Sequence, residues 1–314
     1  MPSFLQPPGQ ARTFLGAPLC TDLEQVRAPF AVIGAPHGSP YSLRDFAADT
    51  INAPTAVRAR SARFAASIGH FDFDLDGVAF GGGPLPFVDC GDVTDTHLEP
   101  RAHLERTTTV VRSVLDRGAV PVVLGGDDSI VTHVLRAYEG HGPLQVIQID
   151  AHLDYRDEVA GVRDGLSSPM RRASEMAWVE RIVHVGLRGV GSARASDVAD
   201  SRADGNLLVK AEALRSHGAD WLLQQLPLGA RYFVTIDVDG LDPSIAPGTR
   251  ATMPGGLLFH EAAALMRGLS SRGMVVGVDV VEYCPALDVN WTTADTVLRL
   301  LINLLGVHAT LSSG

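Results

Sequence analysis

Three apolar runs in this chain each end in acidic residues, and that repeated ending constrains the fold more than any other feature. Pro143-Leu-Gln-Val-Ile-Gln-Ile149 leads into Asp150-Ala-His-Leu-Asp154, Tyr232-Phe-Val-Thr-Ile236 into Asp237-Val-Asp239, and Val120-Pro-Val-Val-Leu124 into Gly125-Gly126-Asp127-Asp128-Ser129. Short runs rich in β-branched residues and bounded by Gly and Pro predict buried strands. Strand ends are where parallel α/β folds carry their chemistry. Asp150, His152 and Asp154 are two apart, so extended geometry puts them on one face, with Ala151 and Leu153 on the other. Asp237 and Asp239 share that spacing. Taken alone, a D-x-H-x-D stretch reads more readily as a polar loop with one capped helix start. Carboxylates and an imidazole gathered at two buried strand ends would repel one another unless a cation joined them. A metal centre satisfies that requirement.

Between and beyond these runs, strands and helices alternate. Strands are predicted at Phe30–Ile33, Pro86–Gly91, Ile182–Gly186, Leu207–Val209 and Met274–Val281, in addition to the three above. Helices are predicted at Pro54–Phe64, from about Ala102 to Arg117, at Ser129–Tyr138, near Pro169–Ala177, and at Ala211–Gln225, Phe259–Leu269 and Thr292–Leu305. Such alternation, with strands that are nearly continuous apolar runs, predicts a three-layer α/β/α fold with a central, mainly parallel sheet. No linker divides the chain. Residues 1–28 read as an arm wrapping the domain or a neighbouring subunit, and 29–314 as a single domain.

Composition narrows the function. The formal charge is −10 and basic runs are absent, which argues against a nucleic-acid partner. The single lysine, Lys210, is the only residue available to a Schiff-base enzyme, and no phosphate-binding G-x-x-x-x-G-K-S/T stretch exists. Cys20, Cys90 and Cys284 are odd in number and widely spaced, which suggests neither a disulfide framework nor a zinc ribbon. No apolar run of about 18 residues and no leader-like start are present, so the expectation is a cytoplasmic protein with no membrane partner.

The three acidic endings, in this order, resemble the signature stretches of the ureohydrolases, the arginase and agmatinase family. Those read approximately G-G-D-H-S, D-A-H-x-D and S-x-D-x-D-x-x-D-P, against Gly125–Ser129, Asp150–Asp154 and Thr235–Pro243 here. Ser244–Thr249, Pro254–Leu257 and Val278-Asp-Val-Val-Glu282 are similar to later parts of the family pattern, and the likeness extends from about Phe30 to the C-terminal helix. The resemblance implies an arginase-like domain with two divalent ions, foremost Mn2+, with Ni2+ or Mg2+ as alternatives. One ion would be held by Asp128, Asp150, Asp154 and Asp237, and the other by Asp150, His152, Asp237 and Asp239. It further implies hydrolysis of a small guanidino substrate, agmatine or a guanidino acid, to urea and an amine. In that reaction Asp154 serves as a proton acceptor and Glu282 pairs with the guanidinium. A trimer or hexamer of identical subunits is the implied assembly.

Three departures qualify the likeness. Asp128 stands where the family has histidine, adding negative charge and favouring harder ions. The loop at 163–172 lacks the family's histidine, leaving Asp164, His37 or water to deliver a proton. His37 itself either faces the active site or is a hydrogen-bonded loop residue. Arg250 replaces a small residue and could meet an anionic substrate or a neighbouring subunit, or simply be exposed. These departures keep open a second reading, a non-catalytic ureohydrolase-like subunit supporting a catalytic partner. A zinc amidohydrolase or deacetylase on a related α/β scaffold is a third, and urea release would separate it from the first.

Overall fold

The computed structural model describes residues 4–7, 12–38, 41, 49–94, 100–191 and 193–311. Its strands are β1 (Leu5–Gln6), β2 (Phe30–Ala35), β3 (Phe71–Asp72), β4 (Gly77–Val78), β5 (Phe87–Val93), β6 (Val120–Gly125), β7 (Leu144–Ile149), β8 (Val179–Leu187), β9 (Leu207–Lys210), β10 (Ala230–Asp237) and β11 (Gly273–Val281). The helices are α1 (Ala53–Ala65), α2 (Pro100–Asp116), α3 (Ser129–Arg136), α4 (Pro169–Ser174), α5 (Ala195–Ala203), α6 (Ala211–His217), α7 (Ala219–Leu223), α8 (Phe259–Leu269) and α9 (Thr292–Leu311).

Nine strands form one sheet in the order β1-β5-β2-β6-β11-β10-β7-β8-β9. Only β1 runs antiparallel, pairing Leu5 with Val93. Every residue of β2 and β7 is buried, as expected for strands covered on both faces. Alternate residues feed opposite cores: Val122, Leu124, Ile147 and Ile149 pack with α1 and α6–α9, while Ala31, Ile33, Val123 and Val146 pack with α2, α3 and α4. The expected three-layer arrangement is therefore present. Within α9, Val297, Leu298, Leu300, Leu301, Ile302, Leu304 and Leu305 are all at most 1% exposed. Each contributes on the order of 1.5–3 kcal/mol relative to exposure.

The continuous helix expected over Ala211–Gln225 is instead two. Gly218 adopts φ 80° between α6 and α7, a left-handed conformation that ends a helix and that glycine adopts without a Cβ penalty. The described part of the N-terminal stretch lies against the chain's own sheet. Phe14 and Leu15 are buried, and the Phe14 N–H donates to Asp89 Oδ2 at 2.7 Å.

The chain passes from β6 to β7 by crossing over a gap that β10 and β11 later fill. The C-terminal ends of β6, β11, β10 and β7 consequently stand side by side. A crevice at such a reversal of strand order is a general ligand site in parallel sheets.

Candidate metal centre

Each of those four strand ends delivers acidic side chains to one place. Asp128 follows β6, Asp150 follows β7, Asp237 ends β10 and Glu282 follows β11. Asp128, His152, Asp154, Asp237, Asp239 and Glu282 line a common cavity of about 250 Å³, together with Leu166, Ser167, Arg250 and Ala251. Asp150 is fully buried. Two sets of ligand-type atoms each lie within 4.8 Å of one another: Asp150, His152 and Asp239, and Asp128, Asp150 and Asp154. Asp150 belongs to both. Asp237 lines the cavity but falls outside these two sets among the described residues.

Local backbone geometry aims these groups. The Asp150 carboxylate accepts the His152 N–H at 2.6 Å, and Asp237 Oδ1 accepts the Asp239 N–H at 2.8 Å. Both are side-chain-to-backbone turns that aspartate favours. Asp239 Oδ1 accepts the Ala151 N–H at 3.1 Å, tying the two acidic loops together. A Cβ on Gly240 would lie 2.5 Å from the Asp150 nitrogen, so the close approach of these loops requires glycine there. Asp154 and Glu282 hold φ of 45° and 61°. Left-handed backbone at non-glycine residues costs on the order of 1–3 kcal/mol and concentrates at functional sites.

The charges are not balanced from within. Burial, reinforced by Asp154, pushes the carboxyls of Asp128 and Asp150 well above the usual carboxylate range, and burial with Asp239 does the same to Asp237. Burial raises Glu282 to about 8. The hydrogen bond to Asp239, whose Oδ2 is 3.1 Å from Nδ1, raises His152 to about 9. Asp128 Oδ2 is buried without a hydrogen-bond partner among the described residues. An orphaned carboxyl oxygen beside two oxygen-rich ligand sets is what a hard divalent cation would satisfy, and the donor set fits one.

Two of the expected site residues stand elsewhere. Asp164 accepts a hydrogen bond from Arg136 Nη2 at 3.1 Å and does not line the cavity. His37 stacks on His103, with ring centroids 5.2 Å apart and planes 10° from parallel. The His37 backbone supports the site from behind: its carbonyl accepts the Asp127 N–H at 2.9 Å. A Cβ on Gly126 would lie 2.2 Å from that same oxygen.

The structure also adds residues that the motifs do not name. Gln148 Nε2 donates to Asp150 Oδ2 at 2.7 Å and lies 3.4 Å from Asp154 Oδ2. Its signal was a buried polar side chain two residues before Asp150, on the same strand face. Tyr41 accepts the Ser167 N–H at 2.8 Å, holding a loop that lines the same cavity. Arg188 donates to the carbonyls of Asp239, Gly240 and Met253 at 2.6, 3.1 and 2.7 Å, clamping the loop after β10.

Comparison with known proteins agrees with this geometry. Residues 28–306 match the model of the arginase family. A guanidinobutyrase of Pseudomonas aeruginosa is 30% identical over 239 residues, which are 73% of this chain and 74% of that protein. A mitochondrial agmatinase of Gallus gallus is 30% identical over 319 residues, 97% of this chain and 87% of that protein. The structure of proclavaminate amidino hydrolase from Streptomyces clavuligerus superposes with a TM-score of 0.83 at 28% identity, covering 98% of this chain and 99% of that one. In sequence and in fold, the chain belongs to the arginase family.

Proposed function

We propose that the chain is a binuclear metal-dependent amidinohydrolase that cleaves a guanidino compound to urea and an amine. The observation that carries the reading is the uncompensated acidic cavity, in which two ligand sets share Asp150. Asp128, Asp150, Asp154 and Asp237 would hold one ion, and Asp150, His152, Asp237 and Asp239 the other. Oxygen-rich ligands favour Mn2+, with Ni2+ or Mg2+ as alternatives. When bound, the ions would lower the pKa of water between them and so supply a nucleophile at neutral pH.

The remaining chemistry falls to side chains. Glu282, held by the Asp128 N–H at 3.0 Å, presents a carboxylate to the planar guanidinium, which matches it with two parallel hydrogen bonds. That pairing orients the guanidinium carbon toward the acidic floor. Asp154, restrained beside Gln148, accepts the proton released as water adds and can return it to the leaving amine. His152 must be neutral to act as a ligand, so metal uptake displaces the proton it carries beside Asp239. The chain is further read as residues 29–314 forming one catalytic domain with residues 1–28 as an arm, as a trimer or hexamer of identical subunits, and as cytoplasmic.

The test is urea release from arginine, agmatine, guanidinobutyrate, guanidinopropionate and guanidine, with Mn2+ or Ni2+ supplied. Urea from at least one compound, abolished by chelation, is expected. No urea from any of them after metal loading would overturn the reading in favour of a non-catalytic subunit.

A further inference from the structure

Among the described residues lining the metal cavity, Arg250 is the one permanent cation. Its Nη2 lies 3.9 Å from Glu282 Oε2, beyond hydrogen-bond length. Its guanidinium makes no hydrogen bond to any described residue. Arg188, which lines the neighbouring cavity, differs: its three guanidinium nitrogens all donate to backbone carbonyls. Arg188 is therefore a clamp, whereas Arg250 holds its planar fork open toward the cavity. The Arg250 side chain is 38% exposed against 10% for Glu282, which sets it on the outer wall, where a substrate tail would leave the buried floor.

We propose that Arg250 anchors a carboxylate on the substrate, so that the chain selects a short guanidino acid over agmatine or any guanidine with a cationic tail. This rests on the reading of the cavity as a guanidinium-cleaving site. A tail carboxylate can pair with the Arg250 fork through two parallel hydrogen bonds. A tail ammonium in the same position meets a like charge, a repulsion that solvent at this exposed side chain reduces but does not reverse. Tail length follows from proximity. Because the Arg250 guanidinium lies so close to the carboxylate that would hold the substrate's guanidinium, roughly one to three methylenes bring both substrate ends into reach.

The experiment compares wild type with Arg250→Ala and Arg250→Lys, all loaded with Mn2+. Urea release is measured from guanidinoacetate, 3-guanidinopropionate, 4-guanidinobutyrate, agmatine and the uncharged-tail analogue propylguanidine. The expected result is that wild type prefers one of the acids to agmatine. Arg250→Ala then lowers the kcat/KM ratio of that acid to propylguanidine by about ten- to hundredfold, mainly through KM, and Arg250→Lys restores part of it. An equal loss on the acid and on propylguanidine would overturn the proposal, because Arg250 would then only offset the charge of the acidic floor. A wild-type preference for agmatine would overturn it as well. Binding of the same acids, read as the rise in Tm of the metal-loaded protein, separates the two layers of inference. Acid-dependent stabilisation that disappears in Arg250→Ala supports the anchor even where no urea forms, and no stabilisation together with no turnover overturns it.

Discussion

Two clusters of buried charge are built on this sheet in opposite ways. Along β5, Arg58 donates to both oxygens of Asp89 at 2.8 and 2.9 Å and also pairs with Asp92. Asp89 further accepts the N–H groups of Phe14 and Gly91. Every charge there has a partner within the chain. At the ends of β6, β11, β10 and β7, carboxylates face one another and burial raises their pKa values. A buried cluster that closes on itself is part of the scaffold. One that cannot close requires something from outside, and the number and kind of its free donors describe what that is.

The largest effect is expected from breaking the open cluster at its shared member. Asp150→Asn should lower urea release by roughly a thousandfold, the several kcal/mol that metal activation supplies. The same change should raise the Tm of the chelated protein, because it removes one of several buried carboxyls that crowd together without a cation. Arg58→Ala should do the reverse. Chemical denaturation should show a loss of about 3–5 kcal/mol whether or not metal is present, since Asp89 and Asp92 are left buried without their cation.

The pH dependence of the chelated protein sharpens the same contrast. Glu282 is raised to about 8 in the folded chain. Its contribution to stability is therefore fully present below the ordinary glutamate range and is lost as pH rises through about 8. Tm with chelator should fall between pH 6 and pH 9. Metal affinity should move the opposite way, improving with pH as His152 gives up its proton near 9. The smallest effect is expected at an exposed pair outside both clusters: Asp164→Asn should change unfolding free energy by less than about 1 kcal/mol, because solvent screens its contact with Arg136.

The contrast also explains what could be read from the sequence. The acidic endings of three apolar runs were legible because strand periodicity and residue type are local properties, and Asp128, Asp150, His152, Asp154, Asp237, Asp239 and Glu282 do converge. Their adjacency depends on β10 and β11 inserting between β6 and β7, an ordering that no local pattern encodes. Arg58 was invisible as a structural cation, since an arginine in a helix looks the same whether it meets solvent or Asp89. Arg250 was ambiguous for the same reason until the loop after β10 was seen to bring it to Glu282. Asp164 and His37 were nominated by chain position, and the folded loops direct them to Arg136 and His103 instead. Gly218 was visible, but a lone glycine in a helical pattern does not by itself show whether the helix continues.

The most direct test of the open cluster is metal stoichiometry. Wild type and Asp150→Asn would be loaded with Mn2+, dialysed and subjected to elemental analysis. Close to two ions per chain in wild type and a loss of both in Asp150→Asn is the expected result, because Asp150 stands in both ligand sets. One ion or none in wild type, or two ions retained in Asp150→Asn, would contradict the account.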